Sequence, residues 1–554
     1  MRQLLFKLLF LFGLLLFLVA GIGISDTVSA DRETVPLLDN LGKHQYPVST
    51  VVPLAQQYFD QGLILSFGFN HAEAARSFRE AARLDPKCAM CYWGEALVLG
   101  PNINAPMNDA DVPRAYSAAQ KALSLVSNAT KKENALIQAL TKRYTSAIAQ
   151  DRSHLDEAYA QAMRVVFRQY PDDVLIGSLL AEALMDLHPW DYWKKNGEAQ
   201  PWTSEIVSTL EAVLTKEPNQ PLANHLYIHA IEGSPHPEKA LPSAERLATL
   251  VPGSGHLVHM PAHIYLRIGR YHDAALANQE AVKVDQHYLN HSHVESIYTA
   301  AYVPHNFHFL WAAATKTGQY KLAMEAARDT AAKVNPEEMR EPGFSGTLQH
   351  FWLMPLYTQA LFGKWREILK ESEPPADLLY IRGIWHYARG LAQLRQGEID
   401  SAQLELTHLR QIIADPAVTD LKIFDVNEIT QVLKIAQAVL EGEILAEQQD
   451  YEAAIVRLER AVSLEDGLNY TEPKDWYLPP RQVLGAVLLT AGKAAEAEQV
   501  YREDLQFHPQ NGWSLYGLVQ ALRAQGKKAD AETTQEQFSA AWSDADVVLT
   551  SSRF

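Results

Sequence analysis

Small, aromatic and apolar residues recur along the chain at intervals of three and four, the spacing of one face of an α-helix. Between residues 58 and 86 two such stretches flank a short turn: Tyr58, Gly62, Leu65, Ala74, Phe78, Ala81 and Pro86. Gly62 and Ala74 allow two helices to approach closely, and Pro86 ends the second helix because proline cannot continue its hydrogen-bond ladder. The pattern predicts a helix–turn–helix unit, with Phe78 filling the gap to the next unit.

Turn glycines repeat this unit along the rest of the chain: Gly269, Gly318, Gly363, Gly397, Gly492 and Gly526. The periodicity resembles the tetratricopeptide-repeat superfamily, whose unit is a helix–turn–helix of about 34 residues. The resemblance implies an all-α solenoid, a right-handed superhelix of antiparallel helix pairs, and we expect roughly eight to ten pairs. No long run of alternating apolar and polar residues predicts a β-strand.

The repeats and the Pro/Gly-rich breaks between them predict the organisation of the chain. We expect a signal peptide or N-terminal anchor at 1–30, a linker at 31–50, N-terminal repeats at 51–110, degenerate helical repeats or an insertion at 111–220, His-rich repeats at 221–335, C-terminal repeats at 336–546 and a tail at 547–554.

The N-terminal segment is typical of an export signal. Arg2 and Lys7 precede a nearly unbroken apolar run, and Val28-Ser29-Ala30 offers the small residues that a signal peptidase requires. If the segment is not cleaved, residues 4–24 are nearly long enough to anchor the protein in a membrane. We therefore expect an exported protein, periplasmic or otherwise extracytoplasmic.

Net charge argues against nucleic-acid binding, and the cysteine content argues against a disulfide-stabilised fold. The 554 residues include 49 Lys and Arg against 66 Asp and Glu, a formal net charge of −17, and 47% are hydrophobic. Such a chain builds a large core but repels phosphate backbones, so we expect no nucleic-acid binding. Two cysteines exclude a disulfide framework.

Histidine is the compositional exception. Twelve of the twenty histidines fall between residues 225 and 308, where an even spread would place about three. His225, His229 and Glu232 share one helix face, and His259 and His263 share another, with Pro261 in the first helical turn. His256 precedes the second pair by three residues, and His305 and His308 open the next helix.

Two interpretations of these histidines stay open. Imidazoles and a carboxylate on neighbouring helices are ligands for zinc, copper or iron. The predicted metal site is His225, His229, Glu232, His259, His263 and His308, with Glu232 as ligand or base. The alternative is structural, because a histidine can also satisfy a backbone carbonyl between helices, and the Glu that follows the first His in zincin proteases is missing.

Two other motifs are less specific. Cys88-Ala-Met-Cys91 lies at a helix junction, where we expect packing or a local disulfide ahead of a metal or redox role. The stretch from Met185 to Trp193 combines His188 with Trp190 and other aromatic residues, which fits either a ligand-binding rim or a corner between repeats, and we favour the corner.

Longer stretches resemble a group of large exported bacterial tetratricopeptide proteins of unassigned function. They are Asp85–Gly94, Gly100–Met107, His225–Glu232, His256–His263 and Pro304–Leu310. The resemblance supports the fold and implies no particular activity.

The sequence thus yields two functional hypotheses. The favoured one is an exported interaction scaffold that holds a protein or peptide in a concave, histidine-bearing groove, since the sequence shows no phosphate loop, Gly-x-Ser-x-Gly elbow or kinase signature. The alternative is a metal-binding protein or metal-dependent enzyme that uses the histidines. We lean away from an enzyme, and no catalytic residue is assigned.

Overall fold

Phe78 is the wedge that joins the first two repeats. It projects from the second helix of the first pair, and a Cβ placed on Gly62 or Gly94 would lie 2.9 or 2.4 Å from its ring. Only glycine leaves room for the ring between these helices, which confirms the role predicted for Gly62 and Phe78. Tyr501 repeats the arrangement near the C-terminus between Gly485 and Gly517.

The computed structural model describes residues 35–292, 296–341 and 343–554. Its first helices are α1 (Pro53–Phe67), α2 (His71–Leu84), α3 (Ala89–Val98), α4 (Val112–Ser124), α5 (Lys131–Leu140), α6 (Ser153–Gln169), α7 (Val174–Met185), α8 (Thr203–Lys216), α9 (Pro221–Glu232), α10 (Leu241–Leu250), α11 (Gly255–His259), α12 (Pro261–Arg267) and α13 (Tyr271–His291).

The second half continues with α14 (Val303–Lys316), α15 (Tyr320–Ala332), α16 (Ser345–Trp352), α17 (Met354–Leu361), α18 (Trp365–Ile368), α19 (Leu379–Leu394), α20 (Ile399–Ile413), α21 (Ile429–Glu447), α22 (Tyr451–Asp466), α23 (Pro480–Thr490), α24 (Ala494–Phe507), α25 (Gly512–Ala524) and α26 (Lys528–Ala541). A π-helical turn, Tyr298–Tyr302, leads into α14.

Consecutive helices pack as antiparallel pairs, and each pair packs on the next. If α11–α12 and α16–α17 are counted as single interrupted helices, the 26 helices form twelve pairs, more than the eight to ten expected. Residues 111–220, whose repeats are degenerate in sequence, form helices that continue the stack. The predicted all-α solenoid of the tetratricopeptide type is confirmed.

The predicted turn glycines end the first helix of their pairs. Gly269 (φ 81°) and Gly492 (φ 77°) both adopt the left-handed conformation, which glycine tolerates because it has no Cβ. The one departure from the all-α prediction in the described ranges is a two-stranded antiparallel ladder, β1 (Lys422–Ile423) with β2 (Asn427–Glu428). It closes the turn before α21.

Repeats far apart in sequence also touch each other. The indole of Trp513 donates to the carbonyl of Thr315 at 3.0 Å, and a Cβ on Gly269 would meet the Pro509 carbonyl at 2.4 Å. At the other end, the C-terminal end of α1 reaches α9, where the Phe67 carbonyl contacts His225. The unit Leu37–Phe554 is therefore a solenoid that closes on itself, and this closure buries side chains that an open groove would expose.

Both segments predicted to flank the repeats are packed. In the predicted linker, Tyr46 is buried and its amide donates to Asp60 on α1 at 3.0 Å. In the predicted tail, Ser552 is buried, shares a 2.7 Å hydrogen bond with the Tyr501 hydroxyl, and Arg553 pairs with Glu443. Because their side chains complete the helix packing, neither segment is a free extension of the solenoid.

The predicted signal or anchor at 1–30 lies outside the described residues and stays a prediction. Among the helices of the described part, none combines the length and apolar character needed to cross a membrane.

Candidate metal centre

Four helices bring histidines to one buried place. His225 and His229 lie one turn apart on α9, His256 and His259 lie on α11, and His263 follows on α12. Pro261 occupies the first turn of α12, as predicted, and turns the chain between His259 and His263. His305 approaches from α14. Of these six histidines, five are at most 2% exposed and His305 is half-buried.

Three of these imidazoles form a first set. The Nε2 atom of His225 lies 3.1 Å from the Nε2 atom of His229 and 3.2 Å from that of His256. All three residues offer a ring nitrogen within 4.8 Å of the others. The set therefore surrounds one point in space with nitrogen atoms from α9 and α11.

The other three imidazoles form a second set. The Nε2 atoms of His259 and His263 lie 2.9 Å apart, and a ring nitrogen of His305 completes a group within 4.8 Å. The His305 ring centroid is 5.1 Å from that of His259 and 5.8 Å from that of His263. This set draws on α11, α12 and α14.

Hydrogen bonds at the far side of four of the six rings, those of His225, His229, His259 and His263, fix their tautomers. His225 Nδ1 faces the carbonyl oxygen of Phe67 at 2.6 Å, and since a carbonyl only accepts, Nδ1 carries the hydrogen. His259 Nδ1 donates to Asn278 Oδ1 at 2.7 Å, and Asn278 is oriented by its own amide, which donates to the Ala274 carbonyl. In the neutral ring, Nε2 is then a bare lone pair.

Glu232 fixes one histidine of each set. His229 Nδ1 donates to one of its carboxylate oxygens at 2.6 Å, and His263 Nδ1 donates to the other at 2.5 Å. The hydroxyl of Tyr470 donates to the second oxygen at 3.2 Å. Both Nε2 atoms are again lone pairs, and the carboxylate acts behind the rings, an outer-shell role common for metal-binding histidines.

Burial governs the electrostatics of the cluster. It lowers the pKa of His225, His256 and His259 well below the ordinary value, and neighbouring imidazoles lower each further. Burial acts to raise the pKa of Glu232, but the charge of His263 and the hydrogen bonds from both histidines outweigh it and hold that pKa below its usual range. The cluster thus joins the neutral rings of His225, His256 and His259 to an ionised Glu232 carboxylate.

Aromatic side chains enclose the cluster. The Phe69 ring lies 4.6 Å from His225 and 5.4 Å from His256, while Trp190 stands edge-on to His229 at 5.1 Å. Phe309 lies 4.4 Å from both His259 and His263. These rings keep water away and hold the imidazoles in place.

His308 does not join the cluster, which contradicts its place in the predicted site. One turn beyond His305 on α14, it points to a different pocket, where its ring lies 5.4 Å from Trp311 and 5.5 Å from His350. Three steps of about 100° along a helix leave an offset of about 60° between the two side chains, and here that offset turns His308 away from the cluster. His305 takes the position that faces α11 and α12.

The predicted groove is likewise wrong in one respect. We expected the histidines to line a concave surface open to a peptide, but His225, His259 and Glu232 are fully buried. The contact between the C-terminal end of α1 and α9 closes the surface above them. These side chains are therefore not accessible to a peptide.

Cys88 and Cys91 form a disulfide at the start of α3, the local bond allowed by the sequence. Both cysteines are fully buried, and Cys88 also caps α3 by accepting from the Cys91 amide at 3.1 Å. In this form neither sulfur is a thiolate ligand for a metal.

Another group of possible ligands lies on α19 and α20: His386, Glu405 and His408. Glu405 already accepts from His386 Nδ1 at 2.6 Å and from the guanidinium of Arg389 at 3.0 Å. Because that guanidinium competes with any cation for the carboxylate, this group is an ion-pair network rather than a second metal candidate.

Several residues of the site escape prediction from the sequence. His256 and His305 stand out as members of the histidine-rich stretch but are absent from the predicted ligands. Asn278 and Tyr470 carry no signal, since the contact of Tyr470 with Glu232 spans 238 positions. Trp190, assigned to a corner between repeats, lies against His229 and also donates to Asn104 at 3.1 Å.

Comparisons with known proteins do not indicate a function for this chain. No protein-family model matches the sequence, and no curated protein sequence matches it. Among solved structures, a human IFIT1 dimer with m7Gppp-AAAA is 12% identical and covers 88% of this chain and 90% of its own, with a TM-score of 0.31. The APC/C hetero-tetramer Cut9–Hcn1 is 12% identical over 89% of this chain and 74% of that one, with a TM-score of 0.28.

A third match is the P58(IPK) TPR domain, 12% identical over 86% of this chain and 99% of that one, with a TM-score of 0.21. Similarities of this size carry no argument about function. The tetratricopeptide-type fold stands on the chain's own helix pairs and on wedges such as Phe78 between Gly62 and Gly94.

Proposed function

We propose that the protein binds a transition-metal ion at the buried histidine cluster. The proposal rests on one observation: two nitrogen lone pairs face each other at short distance. His225 and His229, with Nε2 atoms 3.1 Å apart, each donate from Nδ1 to a fixed acceptor, so neither ring has a hydrogen to offer the other. Two lone pairs at this distance repel unless a cation lies between them.

The ligand set narrows the kind of cation. Imidazole nitrogen suits zinc, copper and iron, whereas calcium and magnesium require oxygen ligands. A tetrahedral ion with metal–nitrogen bonds of 2.0–2.1 Å holds its nitrogens about 3.3 Å apart. The observed separations of 2.9 to 3.2 Å are close to that value.

Outer-shell hydrogen bonds support the same conclusion. Metal-binding histidines commonly donate the second ring nitrogen to a carboxylate or a backbone carbonyl, which orients the ring and raises its basicity. His225 and His229 do so here, to Phe67 and Glu232 respectively. A histidine that only fills a core would not need its Nε2 atom aimed at two others.

Three imidazoles leave one coordination position free. In zinc enzymes that position holds a water molecule with a pKa near 7, which serves as a nucleophile. His305, the one half-buried histidine of the six, lies where a small molecule could approach. We propose that the bound metal would then support hydrolytic or redox chemistry on a small substrate. This second proposal is to be tested after metal binding.

The test is a competition titration of metal-free protein with Zn²⁺ against a chromophoric chelator. The double variant His229→Ala, His263→Ala removes one ligand from each set, and we expect its affinity to fall by at least 10–100-fold. The matched control is His287→Ala, His291→Ala, an exposed pair with the same four-residue spacing on α13, which should bind as the parent does. Equal affinities for parent and site variant would overturn the proposal.

Protein or peptide binding by the solenoid stays a separate proposal. Helix-pair arrays present extended surfaces to partners, and the histidine cluster, being buried, is no part of such a surface. A pull-down from envelope extracts of the source cell tests it. A partner lost when exposed residues such as Val456 and Leu404 are changed to aspartate supports it, and a protein that captures nothing opposes it.

Export of the chain is proposed on the basis of residues 1–30 alone. The basic start, apolar run and Val28-Ser29-Ala30 exit together match a secretory signal. N-terminal sequencing of the native protein tests it: a start after Ala30 supports cleavage, and a start at Met1 in a membrane fraction supports the anchor at 4–24. Recovery from the cytoplasm with Met1 intact would contradict both.

A further inference from the structure

The six histidines of the cluster divide into two groups. His225, His229 and His256 surround one point, and His259, His263 and His305 surround another. Each group contains a pair of Nε2 atoms 2.9 to 3.1 Å apart. If the proposed metal function holds, the division into two groups determines how many ions the cluster binds.

In the first group the rings converge from two helices. His225 is the centre, with its Nε2 atom 3.1 Å from that of His229 and 3.2 Å from that of His256. His256 is 2% exposed, and its Nδ1 atom has no hydrogen-bond partner among the described residues. This ring is therefore held by packing alone, with Nε2 as its one close polar contact.

In the second group the closest contact is even shorter. His259 and His263 face each other through Nε2 at 2.9 Å, and both carry their hydrogen on Nδ1, where Asn278 and Glu232 accept it. Two neutral rings in this arrangement repel each other independently of the first group. An ion between His225 and His229 would not relieve the contact between His259 and His263.

Glu232 separates the two groups. Its oxygens lie 2.6 and 2.5 Å from the Nδ1 atoms of His229 and His263, which is hydrogen-bond distance and shorter than the separation of about 3.3 Å between two ligands of one tetrahedral ion. With Tyr470 as a third donor, three of the roughly four lone-pair sites of the carboxylate are taken. Glu232 with His229 and His263 also forms a third group of possible ligands, but its hydrogen bonds to both Nδ1 atoms favour the role of orienting one histidine of each set.

We infer that the cluster holds two ions, one bound by the Nε2 atoms of His225, His229 and His256 and the other by ring nitrogens of His259, His263 and His305, with Glu232 orienting one ligand of each. Glu232 supplies a single negative charge to this buried site. Two monovalent ions such as Cu(I), or two divalent ions that retain a hydroxide, therefore fit better than two bare divalent ions.

The experiment counts ions in the full-length protein, expressed without a histidine tag and stripped of metal. It is titrated separately with Zn²⁺ and, under reducing anaerobic conditions, with Cu(I), each against a competing chelator. We expect two tight equivalents for the parent. The variants His225→Ala, His256→Ala and His263→Ala, His305→Ala should each retain one, and the surface control His287→Ala, His291→Ala should retain two.

Each outcome bears on a different proposal. One equivalent in the parent, lost in both site variants, would show a single shared ion and overturn the two-ion inference while the proposed metal function stands. No tight equivalent would overturn both. If a variant loses its helical circular dichroism, anomalous scattering from parent crystals soaked in Zn²⁺ replaces it: two peaks, one per set, support the inference and one peak contradicts it.

Discussion

The Nε2 atoms of His259 and His263 lie 2.9 Å apart, although each ring has its hydrogen on the opposite nitrogen. One turn of helix brings the two rings together, and Pro261 begins the helix between them. Such a contact is repulsive between two neutral imidazoles, and a cation between the two Nε2 atoms relieves it. A metal cation is the ligand that fits two lone pairs in a site closed to larger molecules.

Replacing Glu232 tests how the two sets are linked. In Glu232→Gln the amide keeps one acceptor oxygen, so either His229 or His263 must face an N–H group instead of an acceptor. The neutral amide also weakens the hydrogen bond that remains, so we expect weaker Zn²⁺ binding at both sites. The larger loss, of the 10–100-fold size typical of outer-shell partners, should occur at the site that faces the N–H group. Competition titration measures the two affinities.

Tyr470→Phe is the control for that change. It removes only the 3.2 Å hydrogen bond from the hydroxyl and leaves both histidine contacts in place, so its effect should be smaller. Weakening at one site alone in Glu232→Gln would show that the carboxylate orients a single set.

His308→Gln tests the corrected ligand assignment. The imidazole of His308 packs against Trp311 and His350, away from the cluster. We therefore expect metal affinity within about twofold of the parent, whereas His259→Gln should lose about tenfold or more as a true ligand. An equal loss in both variants would return His308 to the site.

The wedge residue Phe78 tests the packing of the repeats. Phe78→Ala empties the space between Gly62 and Gly94, and truncating a buried phenylalanine typically costs about 3–5 kcal/mol. Thermal unfolding followed by circular dichroism should show a clear loss of stability. Leu404→Ala, at a side chain 58% exposed on α20, should change the melting temperature little; equal melting temperatures for the two variants would argue against the wedge.

Asp475 gives the stability a pH dependence. Burial raises the pKa of this carboxyl to about 7, although Asn427 donates to it at 2.7 Å. Between the unfolded pKa of about 3.9 and about 7, the folded state keeps a proton that the unfolded state loses, so stability falls as pH rises, by up to about 1.4 kcal/mol per pH unit. Asp475→Asn removes this slope.

Melting temperatures of Asp475→Asn and the parent between pH 4 and pH 8 provide the measurement. The melting temperature of the variant minus that of the parent should rise as the pH increases to about 7 and should then stay constant. The Asp425→Asn change, at an exposed carboxyl, serves as the control for the substitution itself. Parallel curves for Asp475→Asn and the parent would contradict the predicted role of this carboxyl.

The fold was predictable because its signals are local. A turn glycine such as Gly492 and a wedge such as Phe78 depend only on neighbours within the same repeat or the next one. The number of pairs was underestimated since the repeats between residues 111 and 220 lack the small residues that mark the others. The packing of Tyr46 and Ser552 was missed because it depends on distant partners.

The candidate site was predictable only in part, for the same reason. Helical spacing predicted that His225 lies beside His229 and that His259 lies beside His263. It could not decide whether His305 or His308 faces these two pairs. The closure of the solenoid places Tyr470 on Glu232 and Phe67 on His225, and no pattern in the sequence announces contacts over such separations. Burial of the histidines follows from that closure.

The metal content of the native protein tests the central claim most directly. The chain is purified from its source without an affinity tag or added metal and analysed for zinc, copper and iron, beside the variant His229→Ala, His263→Ala. We expect at least one equivalent, and two when fully loaded, with a large loss in the variant. Less than about a tenth of an equivalent of each metal, unchanged in the variant, would contradict metal binding at this cluster.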